Sequence, residues 1–235
     1  MEERFKIIII EHEDNVRQAL VAVFEHHHFD VEATGNAELG YEKARSGEFD
    51  LLLLDARMDD RTAFDICTGV RARDPAQVIF MLTANGDDSD LIKGLADGAD
   101  DYICVPFAYT DLVQRSKALL RRSRLQSKTP STTQISLGDK IEIDCASLSG
   151  QCVRGQLEFT PREMRVLEYL YKHRGKTVDA HELLNQVWGY PRYLNTETRT
   201  VAIHIATLVN KIEGDPENPQ FLKQVGDGAY QLSLE

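Results

Sequence analysis

The chain has 235 residues, room for one large domain or two of ordinary size, and 42% of them are hydrophobic, as in proteins with buried cores. Apolar runs such as Ile7–Ile10 fall far short of the ~20 residues that span a bilayer, and the start Met-Glu-Glu-Arg-Phe-Lys has no signal-peptide core. Four cysteines, Cys67, Cys104, Cys145 and Cys152, form no C-x-x-C pair, so membrane, secreted and zinc-finger classes are set aside and a cytoplasmic protein is expected.

The formal charge of −11 is unevenly spread: residues 1–120 hold 12 basic and 24 acidic side chains, residues 121–137 four basic and none acidic, residues 138–235 11 basic and 14 acidic. Residues 123–134, S-R-L-Q-S-K-T-P-S-T-T-Q, are polar and aperiodic, the composition of a linker. Two domains are therefore expected, 1–122 and 135–235.

In chain order, Phe5–Ile10 reads as a strand buried on both faces, followed by a helix over Val16–Phe24 and a weaker strand at Asp30–Ala33. A helix over Ala37–Arg45 comes next, then a strand at Leu51–Leu54 and a helix at Ala63–Val70. Val78–Leu82 and Tyr102–Val105 are further strands, with helices at Leu91–Ala96 and Leu112–Leu120. Five βα units predict a flavodoxin-like, doubly wound α/β domain, whose ligands bind beyond the carboxyl ends of the strands. Those ends carry Glu11-His12-Glu13-Asp14, Asp55, Thr83-Ala84 and Val105-Pro106-Phe107. Converging carboxylates suit a hard cation such as Mg²⁺, whereas acids after a strand also simply begin helices, the plainer account of Glu13 and Asp14. Asp55 stands apart, because it follows four leucines and no helix signal follows it.

From Ile135 the pattern changes to short strands at Ile141–Ile143, Ser147–Ser149, Cys152–Arg154 and Gln156–Phe159. Thr160-Pro161-Arg162-Glu163 caps a helix with proline at its first position and an acid three residues on. Asp179 caps a second helix that runs to Trp188-Gly189, and a third spans about 195–212 with Val201, Ile205, Leu208 and Ile212 inward. Phe221–Val225 and Tyr230–Leu234 form a hairpin through Gly226-Asp227-Gly228.

The stretches I-I-I-I-E-H-E-D, F-D-L-L-L-L-D-A-R-M, M-L-T-A, G-A-D-D-Y-I-C-V-P-F, L-E-F-T-P-R-E-M-R-V-L-E-Y-L and E-L-L-N-Q-V-W-G-Y resemble the OmpR/PhoB family of response regulators over the whole chain. That resemblance implies a receiver followed by a winged-helix domain that binds DNA. It makes Asp55 the phospho-acceptor, Glu11 a metal-site acid, the carbonyl of Arg57 a metal ligand, and Thr83 and Tyr102 the switch pair. Two positions depart from it. The family's second metal-binding acid is His12, a poor Mg²⁺ ligand, and the lysine before Pro-Phe is Val105. A degenerate receiver, largely independent of phosphorylation by a histidine kinase, is the expectation, with Mg²⁺ held weakly at best. A conventional regulator phosphorylated at Asp55 and a protein-interaction module remain as alternatives.

The third winged-helix helix would enter the major groove, with Arg199, Thr200, Val201, His204, Thr207 and Lys211 as candidates for contact with double-stranded DNA at direct repeats. His204 reads more readily as a packed or capping histidine than as a base reader. The resemblance places a homodimer face on the fourth helix, fifth strand and fifth helix, with Leu91, Asp97, Asp100, Asp101, Asp111, Arg115 and Lys117. It places an RNA polymerase contact in the loop of Tyr190 and Arg192. Enzyme motifs fail. Gly175-Lys176-Thr177 lacks the first glycine of a P-loop, His181-Glu182 lacks the second histidine of a zinc protease, and residue 57 is Arg where a dehalogenase-type phosphohydrolase has Asp. His26-His27-His28 reads as a helix end.

Overall fold

The structure, a computed structural model, describes residues 4–58, 62–84, 94–126, 134–192, 194 and 198–234. The chain forms two compact units, Met1–Ser123 and Arg124–Glu235.

The first unit is built on five parallel strands: β1 (Lys6–Ile10), β2 (Asp30–Thr34), β3 (Leu51–Asp55), β4 (Val78–Ala84) and β5 (Asp101–Val105). They lie in the order β2-β1-β3-β4-β5. Ile7–Ile10 and Leu51–Leu54 are wholly buried, because β1 and β3 are flanked by strands on both edges and covered on both faces. Helix α1 (Asp14–His26) buries Leu20 and Phe24. Helix α2 (Ala37–Ala44) starts at Asn36, whose side chain accepts the Leu39 N–H at 2.7 Å. It packs so closely on β1 that a Cβ on Gly40 would lie 2.6 Å from Ile10 Cδ1. Helix α3 (Ala63–Arg73) is capped by Thr62.

The unit's last helix, α4 (Tyr109–Gln126), extends four residues into the stretch expected to be linker. Ser-Arg-Leu-Gln contains no breaker, and the first proline is Pro130, so nothing stops the helix at 122. Of the helix expected at Leu91–Ala96, Gly94–Ala96 are helical and the rest lies outside the described residues.

The second unit opens with an antiparallel sheet of β6 (Gln134–Leu137), β7 (Ile141–Asp144), β8 (Ser149–Cys152) and β9 (Gly155–Glu158). The separate strands expected at 147–149 and 152–154 are a single one, β8. The Asp144 carboxylate accepts the Ala146 and Ser147 N–H groups, making a turn of 145–148, and Val153-Arg154 turns the chain into β9. Helix α5 (Pro161–Lys172) begins with a complete capping box between Thr160 and Glu163. Helix α6 (Ala180–Leu183), capped by Asp179, continues into a π-helical turn over Leu184–Trp188 and stops at Gly189, whose φ is 78°. Helix α7 (Arg199–Ile212) follows, then a sheet of β10 (Thr177–Asp179), β12 (Ala229–Leu232) and β11 (Leu222–Gln224). The Glu213 carboxylate accepts the N–H groups of Gln220, Phe221 and Leu222 at 2.7–2.8 Å, which fixes the chain between α7 and β11. Trp188, Leu167, Val201 and Leu208, all fully buried, form the core.

Candidate functional site

The parallel sheet delivers Glu11, Asp55, Thr83 and Val105 to one edge, because each follows or ends a strand running the same way. A pocket of about 230 Å³ opens there, lined on one side by Glu11, Glu13, Asp55 and Arg57 and on the other by Val16, Leu82, Val105, Pro106, Phe107 and Tyr109. Glu11 and Asp55 are each 4% exposed.

Both oxygens of the Asp55 carboxylate have partners. Oδ1 accepts the Arg57 N–H at 3.0 Å, and Oδ2 lies 2.5 Å from Nδ1 of His12. His12 also faces Glu11 Oε1 at 3.3 Å and, through Nε2, Glu13 Oε1 at 3.8 Å. The hydrogen bond to Asp55 raises the imidazole's pKa, which favours the charged ring. Burial pushes the Glu11 carboxyl up to about 7, against the Glu13 N–H that it accepts at 2.8 Å. The turn after β1 is pinned from outside by Arg17, whose guanidinium donates to the carbonyls of Glu11 at 2.8 Å and His12 at 3.3 Å and pairs with Asp14.

Thr83, at the end of β4, and Tyr102, on β5, are 6% and 7% exposed on adjacent strands. Val105 is 41% exposed at the pocket rim, where it brings neither charge nor donor. The side chains of the Mg²⁺-binding set implied by the family, to which the Arg57 carbonyl would add an oxygen, are thus two carboxylates and an imidazole. An imidazole at this position does not fit that ion, which takes oxygen donors.

On α7 the structure corrects the outward face. Thr200 and His204 are buried, at 2% and 1% exposure, and the His204 ring packs against Trp188 at 5.4 Å between centroids; Val201, read as inward, is buried at 0% and is no DNA contact. Thr207 turns its hydroxyl back on the helix, donating to the Ile203 carbonyl at 3.0 Å. Lys211 donates to the buried Glu163 carboxylate at 2.6 Å, so its charge is used inside the domain. The residues that face solvent are Arg199, Ala202, Ala206 and Asn210. The helix is wrapped on more than one side, which narrows the exposed arc relative to a simple two-sided amphipathic reading.

Residues 7–117 match the response regulator receiver domain, and residues 154–232 match the C-terminal domain of transcriptional regulatory proteins. The chain is 31% identical to the alkaline phosphatase synthesis transcriptional regulatory protein PhoP of Bacillus subtilis, over 97% of this chain and 96% of that one. It is 33% identical to the DNA-binding response regulator MtrA of Mycolicibacterium smegmatis, with the same coverage of both. The chain belongs to the OmpR/PhoB family of response regulators. Its fold is also that of a RitR mutant, with a TM-score of 0.69 at 23% identity over 97% of this chain and 98% of that one. As a member, it is a transcription regulator that binds DNA through its winged-helix domain, not an enzyme.

Several residues of the response regulator's expected dimer face have partners inside their own chain. The Asp100 carboxylate accepts the Ile79 N–H at 3.0 Å and pairs with Arg71 at 3.1 Å. Asp101, fully buried, lies 3.5 Å from Arg115, which also pairs with Asp111 at 3.0 Å. Lys117 turns toward Phe29, with Nζ 5.7 Å from the ring centroid. Asp97 is half-buried, and Leu91 lies outside the described residues. In the expected polymerase loop, Tyr190 is 2% exposed and its carbonyl accepts from Asn185 at 2.8 Å. Arg192 is exposed at the rim of a cleft of about 420 Å³ with Asp179, His181 and Glu182.

Sequence reasoning missed Arg17 as the clamp on the β1 turn. Its signal was present, a cation three residues after Asp14 on the first turns of α1. It also missed Val16 and Tyr109 as pocket walls, for which no local pattern exists.

Proposed function

We propose that this response regulator controls transcription as a dimer on direct-repeat DNA and does so without phosphoryl transfer to Asp55. The observation that carries the reading is the 2.5 Å contact between His12 Nδ1 and Asp55 Oδ2, which engages an oxygen of the carboxylate that would attack a phosphoryl donor. A hydrogen bond to a charged group contributes about 1.5–3 kcal/mol, and it has to be given up before that oxygen can react. Val105 adds no cation to hold the phosphoryl oxygens if transfer did occur. The dimer rests on family likeness.

The test is intact mass after incubation with Mg²⁺ and a small-molecule phosphoryl donor, with Asp55→Asn as control. No added phosphoryl group is expected. One added group, absent from the control, would establish instead the conventional reading, which the presence of Thr83 and Tyr102 buried on adjacent strands favours. Retention of short duplexes bearing direct repeats, weakened by Arg199→Ala, is expected in the unphosphorylated state. No DNA selectivity at low salt would favour an interaction module.

A further inference from the structure

The pocket fails as a Mg²⁺ site on its donors, and the same donors describe another class of ion. Glu11 Oε1, His12 Nδ1 and Asp55 Oδ2 belong to three side chains whose ligating atoms all lie within 4.8 Å of one another. Imidazole nitrogen favours Zn²⁺, Ni²⁺, Co²⁺ and Fe²⁺ over Mg²⁺, and stability rises along the first transition row toward copper. Resting on the reading that Asp55 is not a phospho-acceptor, we propose that the receiver pocket binds a divalent transition metal ion through Glu11, His12 and Asp55.

The geometry supports this independently of the family. Donors about 2.1 Å from an ion stand roughly 3.0–3.4 Å apart at octahedral and tetrahedral angles. Glu11 Oε1 and His12 Nδ1 are already 3.3 Å apart. His12 Nδ1 and Asp55 Oδ2, at 2.5 Å, have to separate by only about 0.5–0.9 Å to reach that spacing. The ion then replaces the hydrogen bond between them, and its proton leaves to solvent.

Two carboxylates balance the charge of a divalent ion. Arg17 is directed at backbone carbonyls and Asp14, and Arg57 at Glu13, so neither points its charge at the three donors.

The second shell is also in place. The Glu13 N–H holds Glu11 Oε1, the Arg57 N–H holds Asp55 Oδ1, and Arg17 fixes the turn that carries His12. Groups of this kind orient ligands, and losing one typically lowers metal affinity tenfold to 100-fold. Three protein donors leave open positions, and the 230 Å³ pocket has room for the waters that fill them.

The experiment titrates the full-length, chelator-treated protein with Co²⁺, Zn²⁺ and Mg²⁺ in turn, reading bound-metal stoichiometry and the visible spectrum of Co²⁺. One Co²⁺ per chain is expected, bound at least about tenfold more tightly than Mg²⁺, with the spectrum of nitrogen and oxygen ligands. His12→Gln and Asp55→Asn should each weaken Co²⁺ at least about tenfold, and His12→Asp should move the preference toward Mg²⁺. A variant with His26, His27 and His28 all replaced by Ala should bind as the parent does. Equal affinity for Co²⁺ and Mg²⁺, Co²⁺ binding untouched by His12→Gln and His12→Asp, or binding lost with the three helix-end histidines would each overturn the proposal. The phosphoryl-mass experiment reads the underlying function separately. A labelled Asp55 refutes phosphorylation independence whatever Co²⁺ does, whereas an unlabelled protein that ignores Co²⁺ refutes only the metal site.

Discussion

If His12 and Val105 are what silence Asp55, putting back an acid and a lysine should restore phosphoryl transfer, and the size of the effect follows from the contacts. His12→Asp removes the 2.5 Å bond to Asp55 Oδ2 and adds an oxygen donor beside Glu11 for Mg²⁺. Freeing a bond of about 1.5–3 kcal/mol corresponds to roughly tenfold to 150-fold in the reactive form. Val105→Lys places an ammonium at a half-open position that already lines the pocket, where a charge-assisted bond of the same class is available. Independent effects would multiply to roughly 10²–10⁴, but both act on one phosphoryl group, so coupling between them is expected. The double variant should therefore accept phosphate at least about 100-fold faster than the parent. The assay is the rate of mass gain with Mg²⁺ and a small-molecule phosphoryl donor, with Asp55→Asn in each background. A parent protein labelled at Asp55 as fast as the double variant would refute the reasoning.

Other predictions follow from the winged helix and the buried thiols. Arg199→Ala should reduce the slope of log affinity against log salt by about one unit, read by DNA titration at several salt concentrations. Lys211→Met should leave that slope unchanged, because Lys211 is occupied by Glu163. It should destabilise the protein, since it takes the paired cation from a carboxylate with no exposure and leaves it the Thr160 N–H. A pair with one buried partner lies between an exposed pair and a buried one, so the loss expected in denaturant unfolding is about 2 kcal/mol. Thr160→Ala removes half of the capping box and should cost about 1 kcal/mol in the same assay. Burial pushes Cys67 up to about 12 and Cys145 up to about 11 from an ordinary 9.0, so the folded state holds these protons more tightly than the unfolded state. The stability they contribute is complete below pH 9 and is lost as pH rises through those values, and Cys67→Ala should flatten the alkaline unfolding slope. At pH 8 alkylation should spare Cys67 and Cys145 in the native protein and reach the half-buried Cys104 and Cys152 first.

Four of the five receiver strands were legible because continuous apolar runs such as Ile7–Ile10 and Leu51–Leu54 suit the buried centre of a sheet, whereas β2, with the sequence D-V-E-A-T, gave a weaker signal. The capping box at Thr160 was legible for a similar reason, since its residues are three apart and answer only to each other. The end of α4 was less so: composition suggested a linker at 123, yet helix propagates until something stops it.

By itself, the sequence determined which residues reach the functional edge. Asp55 closes a buried strand, His12 follows another, and Val105 ends a third, all consequences of strand order and direction. Which groups touch there was decided only by the tertiary structure. His12 meets Asp55 across 43 residues of chain, and Lys211 meets Glu163 across 48, distances over which local periodicity carries no information. The same holds for α7, where Thr200 and His204 lie on a face that looked outward along the helix and are buried, His204 against Trp188. A helix's own pattern shows which residues share a face, but the number of faces that are covered depends on what the rest of the chain packs against it.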